Sequence, residues 1–481
     1  MATRKRLLNL DTMNQAVLDV EDPLGSVIAR EVEMQQEINQ GIKKPFDKVA
    51  CCHLGDLQLM GYPPCTFLRQ VAALCTYPEL LDSDRFPQDA KQRARDIIKQ
   101  LANGSVGSYN MTHINYEVNQ KVAKFIERRD GGIPSNPRDI LVSDGATQAI
   151  LAVLAMAVNN EGTLRTGIMV SVPYHPLYAD TIRLNEAVKV EYLLDEEHGW
   201  AVNVDNIRES LYAARKHCDP RVLCVINPGN PTGHVLSRDS MEEIIRLAAQ
   251  EKLLLFADEV YQDNVFAPGA IFHSFKKVLF EMGPEYSERV QLVSVNSISK
   301  GISGECGLRS GYVEFVNVDP EVFGYLYILK SYELPNGVGV VAMESLLEPL
   351  QPGDPSYETF QAERRTLLNN LAKNARLAEE ILNRAPGIHC NPIQGAMYAY
   401  PRIHIPDTAI TLAQDQGVAP DALFCHLLLE DTGIILLDGT SFGQAAGTYH
   451  VRLSLIHPPQ ELKSTLQKIV EFHARFVQEY S

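Results

Sequence analysis

What the chain lacks narrows its class before any motif is read. No apolar run approaches the ~20 residues needed to span a bilayer, so no membrane partner is expected. Positive charge is sparse. The chain has 44 lysines and arginines against 60 aspartates and glutamates, a net charge of −16. The only basic run is Arg4-Lys-Arg6, and this balance argues against nucleic acid as the main partner. That N-terminal patch also lacks the apolar stretch of a secretory signal. Nine cysteines are scattered without a CxxC spacing. They read as small core hydrophobes of a reducing compartment, so a cytoplasmic location is expected. No metal site is expected, because no His/Cys/Asp cluster has metal-ligand spacing. Internal repeats and low-complexity tracts are missing too. What remains is a 481-residue chain, 45% hydrophobic and 22% charged, enough for a sizeable core and two or three domains.

Four segments carry chemistry. Ser297-Ile-Ser-Lys-Gly-Ile-Ser-Gly-Glu-Cys-Gly-Leu-Arg309 sets a lysine and an arginine among small hydroxyl residues. Lys300 can form a Schiff base, Ser297 and Ser299 can hydrogen-bond a phosphate, and Arg309 can pair with it bidentately. Alone, the segment reads equally well as a solvated loop. Val222–Ile226 is an apolar run that ends in Asn227-Pro-Gly-Asn-Pro-Thr-Gly233, a buried strand breaking into a sharp turn. Asn230 then sits where α/β proteins bind ligands. Leu253–Ala257 is a second such strand, delivering Asp258 and Tyr261. Asp258 could be a metal ligand, a salt-bridge partner or a cofactor contact. Asp139–Ser143 reads as a short strand, and Gly145-Ala-Thr-Gln-Ala-Ile150 opens a helix behind it. The helix start around Ala146 and Thr147 is a candidate phosphate site or an ordinary threonine cap.

Taken in order, these segments resemble the fold-type I pyridoxal-phosphate enzymes of the aspartate aminotransferase superfamily. Phe125–Pro134, Ala257–Asn264, Phe272–Lys277, Gly304–Gly307, Cys390–Tyr398 and Gly447–His450 look more narrowly like alanine aminotransferase, and the likeness covers essentially the whole chain. The resemblance implies pyridoxal 5'-phosphate held by Lys300 as a Schiff base, with the same lysine later moving the proton. It implies Asp258 at the pyridine nitrogen, and Tyr261 and Asn230 at the ring hydroxyl. Ser297, Ser299, Arg309, Ala146 and Thr147 would hold the phosphate. Tyr109 would reach a phosphate across the interface of a homodimer with shared active sites. Arg452 would grip the substrate α-carboxylate, where without the resemblance it reads as a surface ion pair. Gly55 would let the backbone approach the substrate closely.

The departures from that family gather at the presumed substrate rim. His175 stands at the ring-stacking position, and His53 replaces an asparagine. Ser108–Ile114 (with His113), Val295–Ile302 and Asp438–Gly443 differ as well. The expected function is transfer of an amino group from an alanine-like L-amino acid to an oxo acid such as 2-oxoglutarate, by ping-pong kinetics. The altered rim motivates an alternative, a pyridoxal-phosphate lyase or oxidase of a specialised pathway. A regulatory protein on the same scaffold is disfavoured by the retained Lys300. The expected fold is α/β: an N-terminal arm and part of a small domain over residues 1–85, a large mostly parallel-sheet domain over 86–346, and a smaller α+β domain over 347–481. Long helical stretches are expected at Asp354–Asn383 and at the C-terminus.

Overall fold

The run Asp219–Ile226 shows why this chain builds a covered sheet. Val222, Cys224 and Ile226 face one buried cluster, while Leu223 and Val225 face another. Alternation along a strand sends neighbours to opposite faces, and apolar residues on both faces require cover on both. The computed structural model describes residues 9–10, 12–18, 25–109, 116–330 and 333–481. Its main sheet has seven strands: β1 (Ile140–Ser143), β2 (Thr166–Val172), β3 (Val188–Leu193), β4 (Asp219–Ile226), β5 (Leu254–Asp258), β6 (Leu292–Ser297) and β7 (Gly311–Val316). Their spatial order is β1-β7-β6-β5-β4-β2-β3. Helices α1 (Gly145–Ala157) and α2 (Pro176–Leu184) lie on the same face of the sheet as Val222 and Ile226.

The sheet is parallel except for β7, which runs antiparallel to both β1 and β6. The reason is the connection before it. Residues 298–310, which carry Lys300, return directly from β6 to its neighbour without a crossover helix, and only an antiparallel neighbour can be reached that way.

Beyond Leu347 the chain builds a second core. Helix α3 (Tyr357–Leu382) buries Leu367, Leu371, Ala375, Ala378 and Leu382, spaced as one helix face. Helix α4 (Pro459–Tyr480) contributes Leu462, Leu466, Ile469, Phe472 and Phe476 to the same cluster. A small antiparallel sheet joins it, with β10 (Val451–Ser454) between β8 (Tyr398–Ala399) and β9 (Leu437–Asp438). Cys52 and Leu57, far away in sequence, also pack in this core. The helix Thr66–Thr76 packs elsewhere, against Tyr116–Arg129 and Gly337–Leu347. No described helix is long and apolar enough to cross a membrane.

Candidate active site

Strand register brings the candidate residues together. Ile226 pairs with Asp258, and Asp258 with Val295, so β4, β5 and β6 end on one line. Asn230, Asp258 and Ser297 therefore emerge at one edge, as expected at strand C-termini of an open α/β sheet. They border a cavity of about 220 Å³. Ala146, Thr147, His175, Tyr261, Ser299, Lys300 and Arg309 complete its wall from the predicted set.

One end of the cavity is built for an anion. Helix α1 starts there, and the Asp144 side chain at its cap makes no bond to the helix N–H groups. Those donors are thus left for a ligand. The Arg309 guanidinium is held by the carbonyls of Cys306 (2.8 Å) and Asp144 (3.3 Å). Gly145 has φ +78°, and a Cβ there would meet the Arg309 side chain at 2.7 Å, so only glycine lets the arginine reach the helix start. Ser297 Oγ accepts from the Ser299 N–H (3.3 Å), folding the two hydroxyl residues onto the same side.

In the middle of the cavity, Asp258 accepts from the Tyr178 hydroxyl (2.9 Å) and the Val260 N–H (3.3 Å). Burial pushes its carboxyl up to about 6, opposed by those two donors and by the charge of Lys300. His175 caps α2, its Nδ1 accepting from the Leu177 N–H at 3.3 Å, which leaves the proton on Nε2. Burial, reinforced by the cations Arg452 and Lys300, holds this imidazole down to about 3, so the ring is neutral. His175→Tyr is therefore expected to leave the shape of the kcat/KM profile unchanged between about pH 5 and 8, the range where an unperturbed histidine titrates. Steady-state rates across that range check this, and a limb that vanishes in the variant would contradict it.

At the far side, Lys300 Nζ donates to the Gly55 carbonyl at 2.8 Å. A Cβ on Gly55 would lie 2.0 Å from the Tyr398 hydroxyl, which makes that glycine obligatory. Arg452 is 6% exposed yet has no carboxylate partner among the described residues. Its Nη1 donates to Asn230 Oδ1 (3.2 Å) and its Nη2 to the His53 carbonyl (2.7 Å), while Nε has no hydrogen-bond partner. The rings of Tyr398 and Phe442 flank it at 4.2 and 4.7 Å. The reading of this arginine as a surface ion pair is excluded. Asn230 Nδ2 in turn approaches the Tyr261 hydroxyl at 3.5 Å.

Not every predicted residue joins the cavity. Tyr109 is 86% exposed and does not line it. His113 lies outside the described residues, as does most of the Ser108–Ile114 rim segment. His53 is fully buried behind Arg452, and neither ring nitrogen has a hydrogen-bond partner among the described residues. Burial lowers its pKa to about 4. The segment 438–443 contributes Phe442 beneath Arg452. Of the rim departures among the described residues, His175 faces the cavity, and the Val295–Ile302 segment reaches it through Ser297, Ser299 and Lys300, which match the family pattern. Sequence reasoning missed Tyr178, which holds Asp258, and Tyr398, which lines the wall between Lys300 and Arg452. Tyr178 follows the helix-capping His175 by three residues and could have been found as its neighbour on the first turn of α2. Tyr398 ends the Cys390–Tyr398 resemblance segment, but nothing local assigned the tyrosine to the site. Among the described residues, no group of His, Cys, Asp or Glu side chains converges as a metal site would require.

A free helix N-terminus with an arginine, a buried carboxylate and a reachable lysine, spaced along one cavity, fit pyridoxal phosphate. On this mostly parallel sheet they define a pyridoxal-phosphate-dependent transferase of fold type I. Residues 71–469 match the family model of aminotransferase class I and II, and the chain belongs to that family. Within it, the chain is alanine aminotransferase-like. It is 51% identical to alanine aminotransferase 2 of Xenopus laevis over 481 residues, covering 100% of this chain and 89% of that one. Alanine aminotransferase 1 of Bos taurus is 49% identical over 480 residues, covering 99% and 97%. The fold is shared with an alanine aminotransferase from Pyrococcus furiosus, at TM-score 0.73 and 21% identity over 96% of this chain and 100% of that one.

Proposed function

We propose that this aminotransferase moves the amino group of L-alanine to 2-oxoglutarate, with the residue roles that follow. The carrying observation is Arg452, a buried guanidinium with no carboxylate partner among the described residues. A planar fork that lacks a counterion is suited to a substrate α-carboxylate. The names of the relatives supply the donor. Bound pyridoxal phosphate supplies a carbonyl that takes the amine and a ring that draws electrons from the Cα–H bond. Lys300 Nζ would take the Cα proton and return it across the transferred nitrogen, to the carbonyl carbon of the cofactor. Asp258 keeps the ring nitrogen protonated by Coulomb attraction. Asn230 and Tyr261 would hydrogen-bond the ring oxygen, the Tyr261 hydroxyl turning to it from Tyr398 when the cofactor binds, and neutral His175 would cover the ring face. Arg309, Ser297, Ser299 and the N–H groups at Ala146 and Thr147 hold the phosphate.

Tyr109 belongs to this scheme through a second copy of the chain, in a homodimer with shared sites. Its exposure supports that reading. Nine free cysteines support a reducing, cytoplasmic setting. The division near residue 346 is supported by the separate cores around the main sheet and around α3 and α4, whereas a division at residue 85 is not, since Thr66–Thr76 packs with Tyr116–Arg129 and Gly337–Leu347 and only Cys52 and Leu57 join the smaller core. The matches above are aminotransferases, and none favours elimination or oxidation.

Asp258 gives a pH test. Its folded value of about 6 lies above the ordinary 3.8. In the cofactor-free protein, the protonated carboxyl therefore favours folding below pH 3.8, and this contribution is lost as pH rises through about 6. Attraction for a cationic ring needs the ionised carboxyl. The affinity advantage of wild type over Asp258→Asn should thus narrow as pH falls through about 6, read by absorbance titration of apoprotein with pyridoxal phosphate. A constant advantage would contradict the assignment.

The donor is tested by a single turnover. Purified holoenzyme is mixed with L-alanine in the absence of acceptor. The visible band should convert to that of pyridoxamine phosphate and return on adding 2-oxoglutarate. No conversion with alanine, but conversion with another amino acid, would replace the donor.

A further inference from the structure

Four side chains form a closed ring beside the cavity, whose wall includes Asn230, Tyr261 and Tyr398 but not Arg452. Arg452 Nη1 donates to Asn230 Oδ1 (3.2 Å), Asn230 Nδ2 to the Tyr261 hydroxyl (3.5 Å), and the Tyr261 hydroxyl to that of Tyr398 (3.4 Å). The Tyr398 ring closes the circuit, with the Arg452 guanidinium 4.2 Å from its centroid. Tyr398 is 3% exposed and stands on β8, which β10 holds in register through Tyr398–Ser454 and Ala399–Leu453. The arginine strand therefore positions the tyrosine directly. The Tyr398 hydroxyl and Lys300 Nζ are neighbours across Gly55. A Cβ on that glycine would lie 2.0 Å from the hydroxyl and 3.1 Å from Nζ.

We propose that Tyr398 is a positioning residue with two separable parts: its ring face orients Arg452 for the substrate carboxylate, and its hydroxyl accepts a hydrogen bond from the Lys300 amine once the substrate has displaced that amine from the cofactor. The inference rests on the aminotransferase reading above. The alternative acceptor for Lys300 is the Gly55 carbonyl at 2.8 Å, which holds the lysine against the loop 53–56. A second acceptor, toward the arginine, gives the amine a place to stand beside the substrate. The electrostatics agree. Burial pushes the Tyr398 phenol up, but Lys300 and Arg452, with the Tyr261 hydroxyl, outweigh it and hold the phenol below the usual tyrosine range. Burial also raises Tyr261, and the adjacent Tyr398 adds to the rise, so Tyr398 is the more acidic of the two. Positive groups on this side turn the hydroxyl's lone pairs toward them and its proton away, which leaves the oxygen placed to accept.

The two parts separate by substitution. Tyr398→Phe keeps the ring and removes the hydroxyl, whereas Tyr398→Leu removes both. In Tyr398→Phe, the amino-acid concentration at half-maximal rate should stay within about twofold of wild type, because ring and arginine remain. The single-turnover rate with alanine should fall about 10- to 100-fold, the kinetic equivalent of one hydrogen bond to a charged group. The isotope effect with alanine deuterated at Cα should rise, because proton transfer becomes more rate-limiting. Tyr398→Leu should show the same fall and, in addition, a raised half-maximal concentration. Retained cofactor absorbance in both variants confirms that the site has folded. A Tyr398→Phe enzyme with wild-type rate and isotope effect overturns the role of the hydroxyl. Loss of cofactor from that variant also overturns it, by making Tyr398 a cofactor-binding group. A Tyr398→Leu enzyme with unchanged half-maximal concentration overturns the role of the ring. A wild-type enzyme that ignores alanine counts against the donor assignment instead.

Discussion

Replacing Lys300 by alanine is expected to remove both the visible absorbance of the bound cofactor and turnover, with the rate falling by at least about 10⁴-fold, the upper range for loss of a positioned acid–base group. The geometry explains why no neighbour can substitute. His175 is neutral, and its Nδ1 already accepts from the Leu177 N–H. Asp258 is occupied by Tyr178 and Val260. Cys306 lines the cavity, but burial raises its thiol, so its thiolate is disfavoured. Absorbance spectra and single-turnover kinetics of the purified variant check this. Normal activity in Lys300→Ala would sink the scheme. The fold should survive, because the side chain makes a single hydrogen bond, to the Gly55 carbonyl. The loop is held independently, by the Gly301 N–H on Asn264 (3.0 Å) and the Ser303 hydroxyl on Ile298 and Lys300 carbonyls (2.7 and 2.8 Å).

Replacing Arg452 by alanine should reduce kcat/KM for the amino acid by about 30-fold or more, since truncating one partner of a buried charged pair costs roughly 2–5 kcal/mol. Most of the loss should lie in KM, because the side chain is absent from the wall that holds the cofactor. A smaller effect on kcat follows from the ring of contacts. Without the arginine, Asn230 Oδ1 loses its partner and Tyr398 loses the cation that it stacks against. Cofactor titration and steady-state kinetics separate the two. Lost cofactor with intact substrate affinity would show that the guanidinium serves the phosphate or ring and not the carboxylate.

The departures from the family read differently in three dimensions than along the chain. In sequence, His53, His175 and the 438–443 segment look like one altered substrate rim. In the fold, they separate. His175 faces the cavity, His53 lies behind Arg452 with both nitrogens unpaired, and Phe442 packs under the guanidinium. Two of the three therefore act on the arginine's surroundings and not on the reacting centre. Neutral His175 also supplies no new charge there. The geometry thus weakens the motive for redirected chemistry, in line with full-length similarity to alanine aminotransferases.

Sequence alone determined the parts whose physics is local. A run such as Val222–Ile226 must be a buried strand, because it is apolar on both faces. Its Pro/Gly/Asn ending must turn, and Lys300 and Arg309 must share a short loop because the chain leaves them no other separation. The helix faces of α3 and α4 are equally local, set by a spacing of three and four residues. Only the tertiary structure decided what depends on long-range pairing. The direct return from β6 made β7 antiparallel, the register of β4, β5 and β6 aligned Asn230, Asp258 and Ser297, and the β8–β10 ladder placed Tyr398 beside Arg452. Burial is the other such quantity. Arg452 reads as a surface charge in its strand, and it is fitted to be a binding group because the fold closes Tyr398, Phe442 and the His53 loop around it with no carboxylate among the described residues.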